Sequence, residues 1–302
     1  MNLMHDIGRF LSGSGNSNSG HREDVLASLL VMAWVVEARD PYTGGHLWRV
    51  SQFSSLLAAD AGLAAADVAR VTVGGFLHDL GKVSVPDLIL RKADRLTPDE
   101  YDVIKTHPEV GWRLLAGHPL ARFAEAAVRA HHETPDGRGY PRGLAGNAVP
   151  EDARIVGICD AFDAMTSTRP YRRGMPTAQA LAIIEENLDR QFDEKLGRRF
   201  VALGRAGRLD HLVGHSDEGI PLHDCLTCGP TLVLRRGQAA GTHVYCRNCG
   251  GEYRVGSDQG RLLTVATGRK GSAKDLEPEA DTELIARLVR ESARVMLATE
   301  DS

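Results

Sequence analysis

Between residues 21 and 204, apolar residues return every three or four positions and β-branched alternation is scarce, which predicts a succession of helices. REDVLASLLVMAWVVEAR predicts a first long helix, GGHLWRVSQFSSLLAADAG a second ending near Gly62, and AADVARVTVGGFLHD a third. Short Gly, Pro or Asp punctuation separates them. The stretch LTPDEYDVIKTHPEVGWRLLAG predicts a continuous helix opened by Thr97 as N-cap, Pro98 at the first helical position and Glu100 closing a capping box. Further helices are expected over about 120–132, 151–168, 177–188 and 193–203.

After Gly204 the period changes. GRAGRLDHLVGHSDEGIPLHD reads as a connection, and TLVLRR, THVYC, EYRV and LLTVAT then alternate as short strands, predicting a small antiparallel sheet. A second connection, GRKGSAKDLEPEAD, leads to TELIARLVRESARVMLA, where Leu284, Ile285, Leu288 and Val295 share one helical face. The expected division is a flexible segment at 1–20, a helical domain at 21–204, a linker at 205–221, a cysteine-bearing β module at 222–267, and a linker with a terminal helix at 268–302. The fold class is therefore mainly α, a helical bundle with a small C-terminal β module and a terminal helix that packs on the protein or on a second copy.

Composition changes this picture little. Of 302 residues, 42% are hydrophobic and 25% charged, which is ordinary globular usage, and no apolar run reaches the roughly 18 residues of a membrane span. The N-terminal MNLMHDIGRFLSGSGNSNSG lacks a long apolar core and a small-residue cleavage site, so a cytoplasmic protein without membrane attachment is expected. A net charge of −4 argues against nucleic-acid affinity carried by the whole surface.

The chemistry is concentrated in histidines and aspartates at predicted helix ends. TGGH supplies His46, FLHDLGK supplies His78 and Asp79, KTHPE supplies His107, RAHHETPDGRGYP supplies His131 and His132, and GICDAFDA supplies Asp160. Any one of these histidines is more often a surface or hydrogen-bonded core residue. Five of them with two aspartates, all at helix ends or punctuated turns, point instead to a transition-metal site for Mn, Fe, Zn, Co or Ni. Adjacent residues on a helix diverge by about 100°, so His78 and Asp79 cannot chelate one ion as an i, i+4 pair does. A second ion resolves this if Asp79 bridges two cations about 3.5 to 4 Å apart, with a bridging hydroxide as nucleophile. Lys82, three residues after Asp79, could stabilise a leaving oxygen or protonate it.

The ordered blocks DPYTGGH, FLHDLGK, VPD, KTHPEVG, HHETPDGRGYPRGL, ARIVGICDAFDAMTSTRPYR and QFDEKLG resemble an HD-GYP domain, a branch of the HD phosphohydrolase superfamily, over about residues 35–205. The resemblance implies an HD-type helical bundle that hydrolyses cyclic di-GMP to pGpG, with GMP after a second cut. It implies His46, His78, Asp79, His107, His131, His132 and Asp160 as metal ligands, with Asp79 bridging and catalytic beside Lys82. It implies two divalent ions, Fe or Mn ahead of Ni, Co or Zn. Some members hold a third metal through a glutamate four residues before the first histidine; here that position is Tyr42, and Glu37, nine residues before, is not the matching one. The name-giving Gly139, Tyr140 and Pro141, with Arg169 and Arg172 of TRPYRR, are implied substrate contacts, and Asp163, one turn after Asp160, is a further candidate. A GGDEF-type protein is an implied partner, and a homo-oligomer is left open. The competing reading is a cyclic dinucleotide receptor or scaffold with little turnover.

Four of the five cysteines form two Cys-x-x-Cys pairs, Cys225 with Cys228 and Cys246 with Cys249, separated by 17 residues. Without a secretory segment this spacing predicts a structural zinc closed by four thiolates, in a zinc-ribbon-like module too small to fold without such a staple. A packing or protein-interaction role ranks above nucleic-acid binding for it. Cys159, in an apolar segment, reads as a small buried hydrophobe.

Overall fold

The computed structural model describes residues 18–39, 44–92, 94–168 and 172–296, so the N-terminal segment before Asn18, Tyr42 and Arg169 lie outside the described residues. Eleven α-helices are described: α1 (Asn18–Glu37), α2 (His46–Asp60), α3 (Ala65–Leu77), α4 (Asp87–Leu90), α5 (Pro98–Ile104), α6 (His107–Leu115), α7 (Glu125–Ala130), α8 (Glu151–Thr166), α9 (Thr177–Glu186), α10 (Glu194–Arg205) and α11 (Thr282–Met296). Seven short strands lie between α10 and α11: β1 (His215–Asp217), β2 (Ile220–Pro221), β3 (His223–Cys225), β4 (Gly229–Leu232), β5 (His243–Tyr245), β6 (Gly251–Asp258) and β7 (Arg261–Lys270). All pair antiparallel, as β1–β2, β3–β4 and the meander β5–β6–β7. The chain is mainly α with a small C-terminal sheet region, as its hydrophobic period predicts. Among the described residues no helix is long and apolar enough to cross a membrane.

Helices α2, α3 and α8 form the centre of the bundle, with α7, α9 and α10 around them. Phe53 of α2, Phe162 of α8 and Phe200 of α10 meet edge-on with ring centroids 5.0 to 6.3 Å apart, joining three helices through fully buried rings. The terminal helix α11 packs on α1 and α3, burying Leu284, Ile285, Leu288 and Val289 in the same core. The residues read as a linker at 205–221 are not a free tether: Leu209 and Leu212 are buried in that core and β1 lies against α2.

The expected continuous helix from Thr97 is two. Its capping box forms as predicted, but α5 ends at Ile104 and α6 restarts at His107. Pro108 has no N–H to give the Ile104 carbonyl, which interrupts the helical hydrogen-bond ladder there. The His107 side chain takes up that carbonyl instead, with Nδ1 2.8 Å from the Ile104 oxygen.

Candidate metal centre and its cavity

Each sequence-predicted ligand stands where a helix begins or ends. His46 opens α2, and His107 opens α6. His131 caps the C-terminus of α7, followed by His132. At HDLGK, α3 stops at Leu77 and the chain tightens into a 3-10 turn over Leu80–Ser84, with Asp79 between the two at φ −93°, ψ 6°. This change of backbone lets adjacent side chains converge where an uninterrupted helix would splay them: His78 Nε2 stands 3.4 Å from Asp79 Oδ2. Two glycines allow the backbones to close. A Cβ on Gly81 would collide with the His107 carbonyl, and one on Gly157 would stand 2.5 Å from the His131 carbonyl.

The seven side chains gather into one cluster around Asp79, five of them buried and His132 and Asp160 half-buried. Its Oδ2 lies 3.6 Å from His46 Nε2 and 3.4 Å from His78 Nε2, while Oδ1 lies 3.5 Å from His107 Nε2. Asp160 Oδ1 is 3.5 Å from His46 Nε2 and 3.8 Å from His78 Nε2. Donor atoms of His46, His78 and Asp79, of His107, His131 and His132, and of His78, His131 and Asp160 lie within 4.8 Å of one another in each trio. The cluster thus has two halves that share Asp79. Lys82 Nζ sits 2.6 Å from Asp79 Oδ2.

The tautomers follow from the other ring nitrogens. His78 Nδ1 is 2.7 Å from the Gly75 carbonyl, His107 Nδ1 2.8 Å from that of Ile104, and His131 Nδ1 2.8 Å from that of Ala127. A carbonyl only accepts, so each Nδ1 carries the proton and each Nε2 is a bare lone pair aimed inward. The Nε2 atoms of His107 and His131 face each other at 3.2 Å, and His78 Nε2 is buried with no hydrogen-bond partner. Two opposed lone pairs and an orphaned third need an electrophile between them. Burial lowers the pKa of His107 to about 4 and that of His132 to about 3, and it holds His131 well below the usual imidazole range. A proton therefore does not fill the gap at neutral pH, and the donor set fits divalent cations, with backbone carbonyls orienting the imidazoles.

His46 is held differently. Burial would depress its pKa, but hydrogen bonds to Asp163 and Asp79 outweigh that and raise it to about 10. Asp163 Oδ2 is 2.8 Å from His46 Nδ1, and the fully buried Arg49 binds both Asp163 oxygens, Nε at 2.5 Å from Oδ1 and Nη2 at 3.0 Å from Oδ2. The expectation of Asp163 as a substrate contact is therefore corrected: it is 1% exposed, and both its oxygens are engaged behind His46. Arg172 is corrected likewise. Its guanidinium donates to the carbonyls of Ala164 and Met165 at the last turn of α8, and Arg172 does not itself line the cavity beside the cluster.

A cavity of about 700 Å³ opens onto the cluster, with His107, His131, His132, Asp160 and Lys82 on its wall. Gly139 and Tyr140 also line it; Tyr140 stacks on His132 at 4.6 Å and meets Tyr101 edge-on at 6.4 Å. A Cβ on Gly139 would press within 2.5 Å of Glu133 Cα, so only glycine lets this loop lie on the His132–Glu133 backbone. Pro141 follows Tyr140 through a cis peptide bond.

Three contributors escaped the sequence reading. Arg49 lies one turn after His46 on a face otherwise buried and apolar, and an arginine in HLWRVSQF was the available signal. Glu133 accepts from the Arg142 and Leu144 N–H groups and braces the loop that carries Tyr140. Glu37, set aside by its spacing, accepts from the Leu47 N–H at 3.1 Å beside His46, and burial raises its pKa to about 7.

The second cluster lies in the β module. Cys225, Cys228, Cys246 and Cys249 bring their sulfurs together, with Cys225 Sγ 3.5 Å from Cys249 Sγ. Four sulfurs around zinc at ~2.3 Å would stand about 3.8 Å apart, whereas a disulfide would need ~2.05 Å. Gly229 and Gly250, at φ +78° and +75°, make the knuckle turns after each pair. The Tyr253 hydroxyl donates to Cys225 Sγ at 3.2 Å and Asn248 Nδ2 to Cys228 Sγ at 3.1 Å. Burial raises the Cys225 pKa, but the Tyr253 hydroxyl and the Thr227 and Cys228 amides outweigh it and bring the thiol to about 7. This donor set fits a closed thiolate-bound metal. Cys159, by contrast, is wholly buried and burial raises its pKa, as befits a core residue.

The chain is 40% identical over 166 residues to the cyclic di-GMP phosphodiesterase response regulator RpfG of Xanthomonas campestris, covering 54% of this chain and 44% of the relative. It is 35% identical over 184 residues to a cyclic di-GMP phosphodiesterase of Thermotoga maritima, covering 60% and 50%. It is 37% identical over 193 residues to the 3′3′-cGAMP-specific phosphodiesterase 3 of Vibrio cholerae, covering 62% and 40%. The chain spans at most half the length of these relatives. The family model described as HD domain matches residues 31–196, more than half of the chain and the whole of the histidine and aspartate cluster; the chain belongs to the HD domain family.

Proposed function

We propose that the protein is a metal-dependent cyclic dinucleotide phosphodiesterase that hydrolyses cyclic di-GMP. The observation that carries this reading is the pair of facing Nε2 lone pairs of His107 and His131, beside a carboxylate that turns one oxygen to each half of the cluster. His46, His78, Asp79 and Asp160 would hold one divalent cation and Asp79, His107, His131 and His132 another, with Mn or Fe matching the imidazole and carboxylate donors. Bound cations supply Lewis acidity that lowers the pKa of water and neutralises phosphoryl oxygens.

The chain's own groups do the rest. In the overall reaction water adds to phosphorus, the P–O3′ bond breaks, and O3′ leaves as a hydroxyl, giving linear pGpG and, after a second hydrolysis, GMP. Lys82, on the cavity wall beside Asp79, stabilises the charge on O3′ and returns a proton to it. Tyr140, stacked on His132 and flanked by Tyr101, offers an aromatic face to a base. Arg95 and Arg138, on the exposed part of the wall, draw the phosphates in.

The relatives named above act on either cyclic di-GMP or 3′3′-cGAMP, so the test supplies both to anaerobically purified protein with Mn²⁺ or Fe²⁺ and separates products by anion exchange. Appearance of pGpG, faster than any product from 3′3′-cGAMP, is expected. Binding without product would favour a receptor, and faster cleavage of 3′3′-cGAMP would replace the substrate but keep the chemistry.

A further inference from the structure

The helical bundle and the β module meet at the residues just before His46. Gly44 and Gly45 form the turn that opens α2, and both are pressed against C-terminal residues. A Cβ on Gly44 would stand 2.7 Å from Val233 Cγ2 and 3.7 Å from Leu222 Cδ2. A Cβ on Gly45, which sits at φ +74°, would stand 2.6 Å from Ser216 Cα and 3.1 Å from the His215 carbonyl. The bare glycine turn therefore lies directly against the Val233 and Leu222 side chains and the β1 backbone.

Arg49 extends the contact to the imidazole. Its Nη1 donates both to the Gly44 carbonyl at 2.7 Å and to the His215 carbonyl of β1 at 2.8 Å. The other face of the same guanidinium grips Asp163, whose Oδ2 fixes His46 Nδ1. An unbroken line thus runs from the β1 backbone through Arg49 and Asp163 to one ligand ring. A second contact lies on α1, where Arg247, inside the second cysteine pair, stands over the Trp34 ring at 5.8 Å. One turn on, α1 ends at Glu37, which accepts from the Leu47 N–H. Backbone and ring of His46 are both tied to elements that the C-terminal part touches.

We propose that the C-terminal module is a positioning element of the histidine and aspartate centre: through Val233, Ser216 and the His215 carbonyl it aims His46, and thereby sets the cation affinity of the half-site that His46 shares with His78 and Asp79. This deepens the reading above and rests on His46 being a ligand. Groups that orient metal-bound histidines typically change metal affinity by ~10- to 100-fold when altered, so contacts of this kind have measurable leverage.

The test uses the full-length chain with Gly44→Ala, Val233→Ala and the double variant, measuring Mn²⁺ binding by calorimetry and thermal unfolding in parallel. Among the described residues the one tight neighbour of a Cβ at Gly44 is Val233 Cγ2, an atom that Val233→Ala removes. Gly44→Ala is expected to weaken Mn²⁺ binding about tenfold. Val233→Ala in the same chain is expected to restore the affinity to within about threefold, a rescue that a loss of general stability would not produce. Unchanged affinity in Gly44→Ala, or weakened affinity that Val233→Ala leaves unrepaired, overturns the proposal. Should Gly44→Ala not fold, Val233→Phe, at a partly exposed position, presses on the same turn from the other side, and an unchanged affinity there overturns it equally. An unmodified protein that takes up no Mn²⁺ overturns the reading of the centre itself, and this proposal with it.

Discussion

The two candidate metal centres of this chain are built on opposite principles. In the β module, the sulfurs converge in a closed knuckle where Tyr253 and Asn248 donate to them, and they do not line the cavity beside the histidines. In the bundle, buried imidazoles face one another across an orphaned gap, and a cavity of about 700 Å³ opens onto it. The first arrangement makes a metal part of the fold. The second holds electron pairs in mutual opposition, a cost the surrounding core has to bear. The difference separates a staple from a working centre before any ligand is considered.

One substitution should break the working centre alone. Lys82→Ala should lower the turnover number by about 10²-fold, with metal content and thermal unfolding little changed, since a positioned proton donor contributes on this scale. Steady-state kinetics with product chromatography read this out; retained turnover would remove Lys82 from the chemistry.

Substituting a ligand in each centre sharpens the contrast. Cys246→Ser should destabilise the module by on the order of 3 kcal/mol, because ligation is part of its folding free energy. His131→Leu should do the reverse in chelator-treated protein: removing one of two opposed lone pairs should raise stability by about 1 kcal/mol while abolishing hydrolysis. Denaturant titrations of both variants check the opposite signs.

These contrasts also mark how much the sequence disclosed. All seven clustered residues, and the four cysteines, were legible because imidazole, carboxylate and thiolate at helix ends or knuckle spacing have few bland explanations. The helices were legible wherever the apolar period ran unbroken. What escaped depended on tertiary partners. The break before Pro108 is completed by a side chain, that of His107, taking a carbonyl. Asp163 reads as a twin of Asp160 one turn away, and only the packing of α2 on α8 shows that it faces Arg49 instead of the cavity. Arg172 looked like a phosphate ligand because a guanidinium serves an oxyanion and a helix C-terminus equally well. The docking of α11 into the core could not be told from docking on a second copy, since one apolar face suits either.

A further contrast is in pH. Burial depresses His107 to about 4 and His132 to about 3, so between those values and 6.5 the unfolded chain binds more protons and stability falls as pH falls. His46 is raised to about 10, so its contribution is complete below 6.5 and is lost as pH climbs through 10. Chelator-treated protein should therefore be most stable near pH 6.5, declining on both sides, as denaturation midpoints across pH would show. Cys246→Ser should leave the shape of that profile intact, and a monotonic profile would contradict the proton assignments in the bundle.

The most direct test is elemental analysis of anaerobically purified protein and of its Asp79→Asn variant. The account predicts two equivalents of Mn or Fe and one of Zn per chain, with the variant losing the Mn or Fe and keeping the Zn. Mn or Fe content unaffected by Asp79→Asn would contradict a centre built around that carboxylate.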